Sequence, residues 1–291
     1  MKESYSVSKA MLISTPIPES TRTYKSFSHK QLIDLTLEGI HHAGFQVGKE
    51  LYSSAKDGLV ANGRYTIANI ADSEMQLQIT WRNSYNKSLP LTFSLGAMVL
   101  VCSNGMQKSQ GMGSFKKKHQ GQIQSFTPQA IGEYIKGAEE VFKQMQIERE
   151  QMKQVTLSRT LQAEIIGKMF IEAEFIKSTQ LNIIKRELDN PTHDYGDPNS
   201  LWSLYNYTTF AMRELHPSLY LQDHIDAHSF FVTESGIIVN TPEPITIRPV
   251  EDKRQLNLFD ELLNQETEEV LAEVYNSEEE EEEEEWEPEQ L

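Results

Sequence analysis

The chain has 291 residues and a formal net charge of -16, yet residues 251–291 hold 18 of its 43 carboxylates against only Lys253 and Arg254, so residues 1–250 balance 25 acids with 25 bases. That length suits one sizeable domain plus a tail, and the lone Cys102 excludes an internal disulfide and a cysteine-based zinc site while fitting a reducing cytoplasm. No apolar run approaches the roughly 20 residues that a bilayer-crossing helix needs, and the apolar patch from Ala10 to Ile13 is too short for a secretory signal, so a cytoplasmic protein is expected.

Residues 1–27, rich in Ser, Thr and Pro, read as an N-terminal arm ordered only against the body. Ser28 is placed as an N-cap with Gln31 three residues on, and Leu32, Ile33, Leu37 and Ile40 recur at helical spacing until Gly44. After Gly44 the period falls to two. Strands are expected over Phe45 to Tyr52, Leu59 to Ile70, Met75 to Trp81 and Leu91 to Ser103, with a turn at Lys56 to Gly58. Strict alternation over Met75 to Trp81 predicts one buried and one solvated sheet face, and the short connections predict an antiparallel meander.

Gly105 to Gly121 reads as a flexible basic loop around Lys116, Lys117, Lys118 and His119. From Pro128, at a natural first helical position, helical composition runs to Leu188, with Ser158 and Ser178 as internal caps of three helices. Leu201 to Leu215 reads as a buried helix and Phe230 to Val239 as a last short strand. The whole predicts an α+β body over residues 28–240, with an antiparallel sheet of three to five strands packed by long helices. Pro242, Pro244 and Pro249 mark an extended linker over residues 241–254.

The last stretch, residues 255–291, divides into Gln255-Leu256-Asn257-Leu258-Phe259 and an acidic tail with eight consecutive glutamates, Glu278 to Glu285, followed by Trp286. Adjacent carboxylates repel one another and keep such a tail solvated and disordered. The pentapeptide resembles the motif by which bacterial polymerases and repair proteins dock on the sliding clamp. The common form has Ser or Asp where Asn257 stands. The resemblance implies that Leu258 and Phe259 fill an apolar pocket, with Leu256 beside them and Gln255 at its edge, a mode that requires an extended, exposed segment. The tail resembles those of single-stranded-DNA-binding proteins, which implies contact with other replication or recombination proteins, Trp286 serving as an apolar tip.

Leu95 to Met106 with the basic stretch ending at His119, and Leu201 to Asn206 with Thr208 and Thr209, resemble the phage- and plasmid-borne domain of unknown function 932 family over roughly residues 40–230, which implies a mobile-element origin and no particular chemistry. The order helix, antiparallel strands, long helix is similar in topology to single-strand annealing proteins, and the long helices offer surface for a homo-oligomer.

For function, Lys108, Lys116, Lys117, Lys118 and His119 are expected to track the phosphates of single-stranded DNA, with Phe115 stacking on a base. Trp81, Arg82 and Tyr85 form a second stacking candidate at a strand end. Two alternatives compete with this reading. One is a host-takeover factor that binds the clamp without touching DNA. The other is a metal-dependent nuclease built on His224 and His228 with Asp223 and Asp226. No phosphate-binding glycine loop or nucleophile motif is present, so neither a catalytic residue nor a cofactor is assigned.

Overall fold

The computed structural model describes residues 5–22, 24–55, 58–108, 114–119, 128–213 and 215–234, and of residues 114, 115, 117, 128–130, 233 and 234 the backbone alone. All of them lie in the first of the two units into which the chain divides, Met1–Pro242 and Glu243–Leu291. The linker after residue 240, the pentapeptide and the acidic tail lie outside the described residues.

The arm contributes a short strand β1 (Ser6–Val7) and a helix α1 (Lys9–Ser14). Leu12, Tyr24 and Phe27 are buried, and Lys9 pairs with Glu50 at 2.9 Å. The helix α2 (His29–His42) begins where Ser28 Oγ accepts the Gln31 N–H, and it ends at Ala43 before Gly44, whose φ of +80° suits glycine.

Four strands then form a meander: β2 (Val47–Ala55), β3 (Val60–Ala71), β4 (Met75–Ser84) and β5 (Leu91–Val99), all pairs antiparallel. The expected strand from Leu91 to Ser103 stops at Val99, because Leu100 to Ser103 turn, Ser103 at φ 59°, and the chain returns as β6 (Asn104–Gln107). The expected flexible basic loop contains β6 and a further strand, β7 (Ser114–Lys117), both paired with β5. With β1 on β2, the sheet has seven strands in the order β1-β2-β3-β4-β5-β6, β7 joining β5 beside β6. The fold is therefore α+β on an antiparallel sheet, as expected, with extra strands from the arm and from the glycine-rich segment.

Four helices follow instead of three: α3 (Pro128–Lys136), α4 (Ala138–Gln154), α5 (Arg159–Ile171) and α6 (Ser178–Asp189). Ser158 caps α5 by accepting the Leu161 N–H at 3.2 Å, whereas Lys177 and not Ser178 occupies the cap of α6. Arg149–Asp72 at 2.8 Å and Lys153–Glu74 at 2.6 Å tie α4 to the β3–β4 turn. Ser200 caps α7 (Leu201–Ala211), and α8 (Pro217–Ser229) runs into a π-helical turn, Phe230–Glu234. That turn replaces the start of the expected strand at Phe230. Phe230 packs edge-on to Phe175 and Phe231 to Tyr205, so tertiary contacts override the strand propensity of the apolar run. Among the described residues no helix is long and apolar enough to cross a membrane.

Register sorts the sheet into two faces. One cross-strand row reads Tyr52, Gly63, Trp81, Phe93, and with Tyr65, Ile79 and Leu95 it makes an apolar face. Gly63 has a steric role here, because a Cβ at that position would fall 2.4 Å from the Trp81 ring. The neighbouring rows are polar: Ser53, Asn62, Arg82, Thr92, then Arg64, Thr80, Ser94. Contrary to the expectation of a solvated face, Asn62, Gln78, Thr80 and Arg82 are buried, because α8 covers this side.

Candidate nucleic-acid interface

The basic segment does not act as one cluster. In β7, register places Lys116 opposite Thr92 on the polar face, and its ammonium donates to Gln222 Oε1 of α8 at 3.0 Å. Backbone pairing sets Phe115 opposite Phe93 and Lys117 opposite Leu91, and the side chains of these two lie outside the described residues. Lys118 is exposed.

His119 departs from the expected phosphate-tracking role. It is buried, with Nδ1 3.3 Å from the Lys25 carbonyl oxygen, while the Lys25 N–H donates to the His119 carbonyl at 3.0 Å. Burial pushes its pKa below the ordinary imidazole value, and the Lys25 carbonyl opposes this in part. A neutral ring results near pH 7, tilted against Tyr24 at 5.3 Å.

Lys118 and His119 line a cleft of about 490 Å³ together with Tyr24, Lys87, Ser88, Leu89 and Pro90. Lys87 stands in the β4–β5 turn at φ 64°, an uncommon conformation for a side chain that is neither Gly nor Asn. Asn86 Oδ1 holds that turn by accepting from Ser88 N–H at 3.1 Å and Ser88 Oγ at 2.5 Å. The Lys87 ammonium lies 5.0 Å from the centre of the Tyr24 ring, and the Tyr24 hydroxyl donates to the Ser84 carbonyl. The cleft thus has an aromatic floor and two ammonium groups at its walls, and among the described residues neither Lys87 nor Lys118 meets a carboxylate. A second cleft of about 410 Å³ carries Glu74, Asp194 and Asp197 against the single cation Lys153, the wrong sign for phosphates.

The remaining candidates are engaged within the fold. Lys108 pairs with the buried carboxylate of Glu148. Trp81 is fully buried, its Nε1 donating to Tyr65 Oη at 3.0 Å, so no ring face is open to a base. Arg82 is buried and donates to the Ser218 carbonyl at 3.0 Å. His224 and His228 do not converge on a metal position: His224 Nδ1 donates to the Tyr220 carbonyl at 2.8 Å and His228 Nε2 faces Glu148 Oε2 at 3.1 Å. Among the described residues no group of His, Cys, Asp and Glu has metal-binding geometry. Gln255, Leu256, Leu258, Phe259 and Trp286 lie outside the described residues.

The sequence matches the domain of unknown function 932 over residues 22–263, most of the chain. The chain belongs to that family. No curated protein and no solved structure matches it. Every residue lining the Tyr24 cleft falls inside the domain of unknown function 932 match, as does the pentapeptide Gln255 to Phe259, whereas the glutamate run from Glu278 lies beyond it. Within this domain, Tyr24 and Lys87 are the cleft residues that sequence reasoning missed. The Asn86-Lys87-Ser88 turn carries a local signal, since Asn before a short polar turn favours a side-chain-closed loop. Nothing in linear spacing brings it to Tyr24.

Proposed function

We propose that the body binds single-stranded DNA across the Lys87 and Lys118 cleft, without catalysis and with little sequence preference, and that residues 255–259 dock the chain on the bacterial sliding clamp. The observation that carries the first half is the pairing of two ammonium groups, with no carboxylate partner among the described residues, from the β4–β5 turn and the end of β7 over one aromatic-floored cleft. Such groups bind phosphates chiefly through counterion release. Tyr24 acts as the apolar floor that lowers the local dielectric; buried beneath Lys87, it is not a stacking platform.

For single strands each phosphate contact contributes about 0.7 to the slope of log affinity against log salt, so the full-length Lys87→Ala/Lys118→Ala variant should bind labelled oligothymidylate more weakly, with a slope shallower by about 1.4. Fluorescence anisotropy across a salt series measures both quantities. An unchanged slope removes the cleft from the DNA site.

The pentapeptide supports the second half by its residue types and by its place after a proline-rich linker. Purified sliding clamp should be retained by immobilised wild-type protein and lost from the Leu258→Ala/Phe259→Ala variant, because the two apolar anchors of such a peptide carry most of its binding. Equal recovery by both proteins would dismiss the motif.

A further inference from the structure

The two faces of the sheet differ in what they ask of their covers. The apolar face needs only apolar partners. The polar face presents Asn62 and Arg64 on β3, Arg82 on the adjacent β4 and Lys116 on β7 beyond β5, with about 4.8 Å between neighbouring strands, and each donates to α8. Asn62 Nδ2 donates to the Pro217 carbonyl at 2.9 Å and Arg82 Nη1 to the Ser218 carbonyl at 3.0 Å. Arg64 Nη1 donates to the Tyr220 hydroxyl at 3.0 Å, its guanidinium carbon 4.8 Å from the centre of the Tyr220 ring.

Three of these four donors are cations; at hydrogen-bond range α8 offers them only neutral acceptors and a ring, and its Asp223 acts on Arg82 by charge from beyond that range. No carboxylate lies within ion-pairing distance of Arg64, Arg82 or Lys116 among the described residues. The contact also leaves polar atoms unmatched. Asn62 Oδ1, Arg82 Nε, Gln107 Oε1 and His224 Nε2 are buried without a hydrogen-bond partner among the described residues. Each such atom costs about 1–3 kcal/mol, which weakens the hold of the first turns of α8 on the sheet, while its last turn stays anchored to α4 through His228 and Glu148.

We infer that the polar face of the sheet is itself a surface for single-stranded nucleic acid, and that α8 is its displaceable cover. Phosphate oxygens satisfy Arg64, Arg82 and Lys116 better than the Tyr220 hydroxyl, the Ser218 carbonyl and the Gln222 amide oxygen do, because hydrogen bonds between ionised partners are about twice as strong as neutral ones. A base takes the place of the Tyr220 ring beside Arg64. The π-helical turn Phe230–Glu234 follows α8, and such turns are rare and frequent at functional sites. This inference rests on the reading that the body binds single strands, and it extends the Lys118 cleft along β7 through Lys116.

The test bridges the full-length Lys116→Cys/Gln222→Cys protein with a short bis-methanethiosulfonate reagent, which fixes α8 to β7 until reductant releases it; the native Cys102 is buried. Bridged protein should bind labelled oligothymidylate about tenfold more weakly than the same protein after release. In parallel, hydrogen exchange of the α8 amides in wild-type protein should quicken on adding the oligonucleotide. Equal binding by bridged and released protein, or α8 amides that exchange no faster with DNA bound, overturns the cover while leaving single-strand binding intact. Wild-type protein that binds no oligothymidylate at low salt sinks the underlying reading instead.

Discussion

Replacing Glu148 with Ala should destabilise the body by about 3 kcal/mol, the low end of what breaking a buried ion pair costs. Glu148 lies on α4 and is almost wholly buried, with Oε1 accepting from Lys108 and, at 3.2 Å, from Gln144, and Oε2 facing His228 at 3.1 Å. Burial acts to raise its pKa, but the hydrogen bond and charge of His228 and the charge of Lys108 overcome it and hold the carboxyl at about 2. One carboxylate therefore joins the segment after β6, helix α4 and the last turn of α8. Alanine leaves the Lys108 ammonium and the His228 ring without that acceptor. Lys108 is partly exposed and recovers some hydration, which is why the low end of the range applies. Glu148→Gln keeps an acceptor for Lys108 but turns a donor toward His228, and it should fall between wild type and Ala. Urea unfolding followed by tryptophan fluorescence measures both variants. An Ala variant within about 0.5 kcal/mol of wild type would show that the three elements are held together by something else.

The parts of the fold that were legible in the sequence are those decided locally. Ser28 and Ser158 each accept a backbone N–H three residues on, a bond that depends only on neighbouring residues. Alternation in β4 identified which residues share a face, and register confirms that grouping. Alternation says nothing of what covers a face, however, and hydrophilic residues such as Gln78 and Thr80 suit solvent and a polar cover equally well. The cover is α8, itself rich in Gln, Asp and His, so neither partner carries an apolar signature. The lysine run was read as a loop for a similar reason: glycine content is a local signal, whereas the pairing of β7 with β5 is a long-range one. His119 looked like a cation by its neighbours in sequence, but its neighbours in space, Tyr24 and Lys25, bury it. Trp81 could equally have served as a stacking platform or as core, and Gly63 opposite it decides for core.

Acidification from neutral pH to about 4 should cost the fold several kcal/mol, well before the carboxylates that stabilise it are protonated. His29 and His224 are buried as neutral rings. His29 Nε2 donates to the Gly58 carbonyl at 2.8 Å while Nδ1 accepts from Asn83 Nδ2 at 3.1 Å, and its ring stacks on Tyr85 at 3.9 Å. Burial lowers the pKa of each to about 4, the Gly58 and Tyr220 carbonyls opposing it in part, with His119 lowering His29 and the Arg64 charge lowering His224 further. Between the ordinary value of 6.5 and about 4, the unfolded chain takes up protons that the folded chain refuses, so stability falls as pH falls through that window. Each ring accounts for about 3 kcal/mol once the window is crossed. Asp223 works the other way. Burial, and then the charge of Asp226, raise it to about 6, so the folded state binds its proton first and gains stability as pH drops. Its partial exposure makes that gain smaller than the loss from two buried imidazoles. Below about pH 4.5 the lowered pKa values of Glu148 and Asp72, both about 2, add a second loss of the same sign as the first. Urea midpoints measured from pH 7 to 4 should therefore fall steadily, and His224→Gln should flatten the upper part of that fall. Midpoints that stay level from pH 7 to 5 would mean that these rings take up their protons in the folded state, and with them that the packing around Gly58 and Tyr220 opens more readily than its hydrogen bonds imply.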